Sequence, residues 1–428
     1  MTLSPEVARR AFLTLTVTRW LPVGLVVGIL TLWQLDNGLS VAQALSMAAF
    51  QGWVIVALEL PTSSFADIFG RRPVYLAAGV ANVAASAALL LADSFWTFAA
   101  AAVLFGVFRA LDSGPLEAWY VDAVHATEPD ADVHGTLAAQ GALLGLSIAG
   151  GSLVSGGLVL WAPVPGWSAL ALPVAISAAL TVVHLVATTL LMREDRPHDS
   201  GSTAVRRAWL SARRTPGVVR AGLALVRHNR VLRGLMAVEV TWSVTMVVFE
   251  SLQPVRLGEL LGSEAEAGAW MGAVAAVGWG VFALGSTLAG LAARRWGVAR
   301  TAILGRLLNS VGAVVMGLVL GPVALVAAYL FTYGMHGWCG PMHSTLLHRE
   351  ATSANRATVL SLNSMMASGA YAAAAPLLGL LAVVASTQSA MVTGGAIGLL
   401  GAFFYRAALR AERTTSGVPE PVADRRLA

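Results

Sequence analysis

Twelve apolar runs, each long enough to cross a bilayer as a helix, dominate this sequence. In the first half they lie at 11–34, 41–63, 73–92, 95–118, 136–160 and 168–192. In the second they lie at 232–253, 267–291, 299–319, 322–346, 357–384 and 387–405. A helix needs about 20 apolar residues to cross a hydrocarbon core about 30 Å thick, whereas a barrel strand is about ten alternating residues. Lipid offers backbone groups no hydrogen-bond partner, so runs of this length must close their bonds internally, as helices. Composition agrees: 57% of the 428 residues are hydrophobic and 12% are charged, where a soluble domain carries about a quarter charged. The expectation is an all-α membrane protein.

The net charge of +5 and the isoelectric point near 10.0 would suit nucleic acid, but the basic residues follow topology instead. All 28 are arginine. With the N-terminus inside, Arg19, Arg109 and Arg306 fall within spans, only Arg256 falls outside, and every other arginine is cytoplasmic. An even number of spans also returns the C-terminus, with Arg406, Arg410 and Arg413, to the cytoplasm. The expected location is the plasma membrane, multi-pass, with the lipid bilayer and no nucleic acid as partner, and with the chain a monomer. Cys339 is alone, which rules out an intramolecular disulfide. The N-terminus runs straight into a full-length span, so no cleavable signal is expected.

The chain divides into a six-helix bundle at 1–192, a cytoplasmic basic linker at 193–231, a second six-helix bundle at 232–410 and a disordered tail at 411–428. The linker begins with Asp, Ser and Gly and continues as a basic amphipathic stretch around Trp209, suited to an anionic inner leaflet.

Between the second and third spans stands "SSFADIFGRRPVY", residues 63–75. Gly70 can adopt the positive φ that a tight reversal requires. Asp67 can accept backbone or arginine hydrogen bonds. A similar turn, "GLAARRWGVAR" at 290–300, sets Gly297 on Gly70 and Ala293 on Ala66, as in a duplicated bundle. On these residues the chain resembles the major facilitator superfamily. That family's loop reads roughly G-x-L-A-D-R-x-G-R-R-x-x-L; here Ser63 replaces the first glycine and Phe65 the leucine. The resemblance implies twelve transmembrane helices in two pseudo-symmetric six-helix bundles. It also implies a cytoplasmic latch of Asp67, Gly70 and Arg71, with Arg72 alongside and Glu117 and Asp122 as acids across the gate. Read from charge alone, the arginines are only topology markers.

Charges inside the spans are expensive and mark function by default. Arg109 and Asp112 are three residues apart on one helix face and are expected to pair. Such a pair either titrates during transport or is a permanent structural ion pair. Drug:proton antiporters of the family carry R-x-x-Q-G here, where this chain has R-x-x-D-S-G. Their usual acid in the first helix is missing, which moves the proton-coupling expectation to Arg109, Asp112 and Glu239. Arg19 and Glu239 reach similar depths on the first and seventh spans, so a contact between them is expected. Substrate-cavity candidates are Arg19, Trp53, Trp242, Glu250, His336 and Trp338, while Glu59 lies nearer the gate. Trp33, Trp96, Trp161 and Trp167 read as interfacial belt residues.

In "HGWCGPMH", His336, Cys339 and His343 have ligand-like spacing but no fourth ligand. A helix bent or broken at Gly340-Pro341 is the favoured reading, and no metal is expected. The fifth span is rich in glycine, which permits either ordinary close packing or a role specific to antiport.

The expected function is secondary active transport without a cofactor, by alternating access. The first reading is proton-coupled efflux of a hydrophobic or amphipathic small molecule such as a drug or antibiotic. The alternative is a proton-coupled importer of a small polar or anionic metabolite held by Arg19 or Arg109. A membrane-embedded enzyme is a remote third, because no P-loop, H-E-x-x-H or G-x-S-x-G occurs.

Overall fold

The computed structural model describes residues 3–63, 65–194, 217, 219–352 and 355–415. The first half contains α1 (Pro5–Val27), α2 (Leu30–Asp36), α3 (Val41–Ser63), α4 (Phe65–Phe69) and α5 (Arg71–Leu90). It continues with α6 (Phe95–Asp112), α7 (Pro115–His125), α8 (His134–Trp161) and α9 (Ala171–Leu191). The second half begins with α10 (Arg230–Val247), a π-helical turn (Val248–Leu252) and α11 (Gln253–Leu261). Then come α12 (Glu264–Trp296), α13 (Val298–Leu318), α14 (Pro322–Glu350), α15 (Arg356–Val384), α16 (Thr387–Phe404) and α17 (Arg406–Thr415).

Three expected spans are interrupted, each where glycine or proline intervenes. The first changes direction at Gly28 between α1 and α2. The fourth breaks at Ser113-Gly114-Pro115, where Gly114 takes φ 95° and Pro115, lacking an N–H, starts α7 at no loss. The seventh passes through the π turn, ahead of Pro254 at the start of α11. The tenth corrects the expectation of a broken helix: α14 runs through Gly340-Pro341 without a break. Most of the 193–231 linker, Trp209 included, lies outside the described residues, as does the tail beyond Thr415; residues 411–415 are helical.

Among the described residues, eleven helices are long and apolar enough to cross a membrane. The tenth expected span, α14, has the length at 29 residues but not the apolarity. His336, His343, His348, Arg349 and Glu350 dilute it. It is nevertheless enclosed by α12 and α13, as its counterpart α6 is by α3 and α5.

The packing repeats between halves. Within the first half α1 packs on α8 and α9, and α5 on α6 and α9; within the second α10 packs on α15 and α16, and α13 on α14 and α16. The halves meet along α3–α15 and α8–α12, which exchange under the same correspondence. The chain is therefore two bundles related by a pseudo-two-fold axis.

The core shows where the bundles join. One apolar cluster crosses both halves at the end away from the termini, with Ile29, Leu32 and Met47 meeting Leu252, Leu257 and Met271. Toward the termini each half keeps its own cluster, one around Phe12 and Trp119 and the other around Leu235 and Met342. Among the described residues the shared apolar cluster thus lies at the far end, while at the terminus end each half has a cluster of its own. Trp33, expected in the interfacial belt, is buried in the shared cluster, and its indole N–H donates to the Leu89 carbonyl at 3.3 Å.

The two signature turns match. Gly70 (φ 100°, ψ 158°) and Gly297 (φ 85°, ψ 157°) adopt the same glycine conformation ahead of α5 and α13. Each new helix leaves N–H groups unpaired, and an acid from beyond the sixth or twelfth span meets them. Glu194 accepts from the Arg71 and Arg72 amides at 3.1 and 2.8 Å. Glu412 accepts from Val298 and Ala299, both at 3.0 Å, and from the Arg349 guanidinium at 2.6 Å. Glu194→Ala and Glu412→Ala are each expected to lower stability by about 1 kcal/mol, the effect of removing an N-cap. Thermal unfolding of the purified variants measures it, and midpoints equal to wild type would remove the capping role.

Candidate functional site

A cavity of about 210 Å³ opens inside the first bundle, walled by Trp20, Val23, Phe105 and Phe108 and carrying Arg19 and Arg109. Toward the far end an adjoining cavity shares Leu30, Gln51, Leu89 and Phe105 with it, and takes Ser251 and Tyr371 from the second half. Both bundles therefore contribute to the enclosed space near mid-span.

The expected pairing of Arg109 with Asp112 does not form. Asp112, the last residue of α6, instead binds Arg19 of α1: Nη2 and Nε donate to its Oδ2 at 2.9 and 3.1 Å. The Arg19 guanidinium also lies over the rings of Trp20 and Phe108, at 4.7 and 4.4 Å. At 4% exposure Arg19 has exchanged its water for a counter-ion, which a buried charge requires. Arg109 faces the open cavity, has space for water, and makes no ion pair or hydrogen bond among the described residues. Beside Asp112 and Arg19 lies a group that sequence reasoning missed, His184 of α9. It is buried against Thr18 Oγ1 at 2.9 Å and the Tyr75 hydroxyl at 3.2 Å. A histidine facing inward from an apolar helix was the available signal.

Nor does Arg19 meet Glu239, because each is engaged within its own half. Glu239 Oε2 lies 3.2 Å from His343 Nε2. That nitrogen also approaches Asn363 Oδ1 at 3.2 Å, while His343 Nδ1 faces the Tyr405 hydroxyl at 2.9 Å. The Asn363 oxygen at Nε2 places the imidazole proton there, leaving Nδ1 to accept from Tyr405. Nearby Arg306 is fully buried, its guanidinium 4.2 Å above the Trp242 ring, with the Tyr405 hydroxyl and the Glu239 carboxylate as its polar neighbours. The ring face adds to the attraction of the nearby Glu239 carboxylate.

The other candidates separate. His336 sits among rings, 5.2 Å from Trp242, 5.1 Å from Phe249 and 5.7 Å from Tyr333 between centroids. Glu250 lies on the π turn with the Tyr333 hydroxyl as a polar neighbour. Trp338 does not line the cavity. Its indole N–H donates to the Thr301 carbonyl at 2.9 Å, and its ring fills the gap over Gly305, because α13 and α14 approach too closely there for a larger residue. Trp53 is 53% exposed at the edge of the α3–α15 seam, beside Gly369, and lines neither cavity described above. Glu59, in the same seam, lies near Ser364 of α15. Among the described residues no cluster of His, Cys, Asp and Glu could hold a metal.

At the terminus end, Arg71 Nε reaches Asp122 Oδ2 at 3.6 Å. Arg72 turns instead to the end of α9, donating to the carbonyls of Met192 at 2.6 Å and Thr189 at 3.1 Å. Glu117 takes no arginine; it accepts from Gln140 Nε2 at 2.8 Å. Each of these contacts joins residues of the first half. Asp67 belongs to α4, and its side chain lies outside the described residues.

Comparison with known proteins follows the same line. The nucleoside transporter NupG superposes with a TM-score of 0.74 at 11% identity, over 94% of this chain and 99% of that one. A POT family transporter in complex with 5-aminolevulinic acid superposes with a TM-score of 0.69 at 14% identity, over 96% of each chain. At such identities the likeness is one of fold. No protein of curated function matches by sequence. The family model described as Major Facilitator Superfamily matches residues 12–338 and 252–427. With two like bundles, a cavity between them and that match over most of its length, the chain belongs to the major facilitator superfamily of transporters.

Proposed function

We propose that this transporter is a proton-coupled exporter of amphipathic small molecules. The observation that carries the reading is the Arg19–Asp112 pair beside a cavity walled largely by apolar side chains. A rearrangement of the cavity that draws Arg19 away strips this carboxylate of its counter-ion, which ties charge at the site to the state of the bundles. Glu239, beside His343 and below Arg306, supplies a second acid in the opposite bundle. The wall of Trp20, Val23, Phe105 and Phe108 suits an apolar body. The arginine distribution supports termini in the cytoplasm, which makes the terminus end the inward one. In this reading Asp67, Gly70, Arg71 and Asp122 belong to the latch that forms when that end closes.

A second reading, an importer of a small polar or anionic metabolite, is favoured by Arg109, which stands in the cavity and makes no ion pair among the described residues. The similar folds include a nucleoside transporter and a POT family transporter, and small polar cargo of that kind would fit it. Accumulation of a lipophilic fluorescent dye in cells making the protein, with and without a protonophore, tests the proposal. Export predicts lower accumulation than in control cells, restored by the protonophore. Equal accumulation across a varied dye panel would overturn drug export and leave the importer.

A further inference from the structure

Glu250 is an acid inside the second bundle with no cationic partner. Among the described residues no arginine or histidine lies within ion-pairing distance, and its polar neighbours are tyrosine hydroxyls, Tyr333 foremost, with Tyr329 and Tyr371. It stands where α10 gives way to the π turn Val248–Leu252, a widening of the helix that often accompanies a functional site. Glu250 is half-buried. Its neighbours Ser251 and Tyr371, hydrogen-bonded at 2.7 Å, line the cavity shared by the two bundles.

The surroundings of this carboxylate are aromatic. Tyr333 has Phe249 at 6.1 Å, Trp279 at 6.2 Å, Phe282 at 5.9 Å and Tyr329 at 5.3 Å between ring centroids. Trp279 comes from α12, whose outer half packs on α8 of the other bundle. An unpaired carboxylate at membrane depth is costly and calls for a positive charge. A hard metal ion would need about six oxygen ligands, and this site offers one carboxylate and a few phenol hydroxyls. Ring faces attract an organic cation through their quadrupoles. A carboxylate set among such faces satisfies both the charge and the apolar shell of an ammonium or phosphonium group.

We propose that Glu250, with the rings of Phe249, Trp279, Phe282 and Tyr333, is the receptor for a cationic headgroup of the transported compound. This rests on the transporter reading and adds the substrate's charge: the cargo is an organic cation whose apolar body extends into the shared cavity.

The test is equilibrium binding of radiolabelled tetraphenylphosphonium to the full-length purified protein, with tetraphenylborate as its anionic counterpart of like shape. Wild type is expected to bind the cation and discriminate against the anion. Glu250→Gln keeps the volume and should weaken cation binding by roughly tenfold or more. Phe282→Leu keeps the carboxylate, removes one ring and should weaken it by roughly threefold. It also decides the matter if Glu250→Gln does not fold. Cation affinity unchanged in the folded variants, or anion bound as tightly as cation, overturns the proposal. Binding is read without a gradient, so a protein that binds the cation but moves no dye refutes proton-driven export alone.

Discussion

Asp112→Asn is expected to lower stability by about 3–5 kcal/mol, the usual effect of stripping the partner from a buried charge, and to abolish proton-driven transport. The cause is the residue left behind. Arg19 keeps its full charge at 4% exposure, and its Nε and Nη2 lose the oxygen on which both converge. The rings of Trp20 and Phe108 retain part of the attraction but none of the hydrogen bonding. Arg109 cannot replace the carboxylate, since it brings a second positive charge. Replacing both members, Arg19→Leu with Asp112→Leu, should recover most of the stability, because a well-packed apolar pair often equals a buried ion pair. Transport should stay absent in that double variant. Thermal unfolding and pH-jump-driven flux in proteoliposomes read the two effects separately. A single variant as stable as wild type, with intact coupling, would show that the pair carries neither role.

The second large effect belongs to the seam between the bundles. Gly272 of α12 faces Gly156 of α8 so closely that an added Cβ would lie 2.6 Å from the Gly156 Cα and 2.8 Å from the Ser152 carbonyl. Both contacts are with backbone, which cannot rotate away. Gly272→Leu should therefore disfavour the joined far end by at least the 1–3 kcal/mol typical of overpacking, about tenfold or more in a two-state equilibrium. The expected protein is folded, inactive in transport and open at the far end. A cysteine placed at Leu30, which lines both cavities, should then react with a membrane-impermeant maleimide from the outside several times faster than in wild type. Labelling and transport unchanged from wild type would show that this seam does not separate during transport. The contrast is Gly24, whose Cβ would meet the Ile148 carbonyl at 2.5 Å inside a single bundle. Substitution there should unfold the first half rather than shift the state.

Much of this was legible before any coordinates. Span length and apolarity are local properties, so the helices follow from the chain itself. The interruptions at Gly114-Pro115 and before Pro254, in spans expected to be continuous, come from backbone chemistry at those residues. The matched turns at Gly70 and Gly297 recur because a duplicated bundle needs the same reversal twice, and only glycine takes that φ without strain. Pro341 misled because the residues around it, held between α12 and α13, keep the helix going despite the missing N–H.

Partnership was not legible. Sequence spacing put Arg109 and Asp112 on one helix face, yet the carboxylate went to Arg19 on another helix, where burial made the need for a counter-ion greater. Glu194 and Glu412 sit in plain connections and acquire meaning only when folding brings them to the exposed amides of α5 and α13. Trp338, a tryptophan at mid-span like Trp242, fills the space over Gly305 because α13 and α14 come that close. The sequence by itself determined a membrane protein of paired helical bundles, since lipid rewards continuous apolar runs and bonds closed within each helix. Which charges meet, which rings gather round Glu250 and which end joins the bundles were decided by the tertiary structure. Those depend on distances between helices far apart in the chain, and no local pattern encodes them.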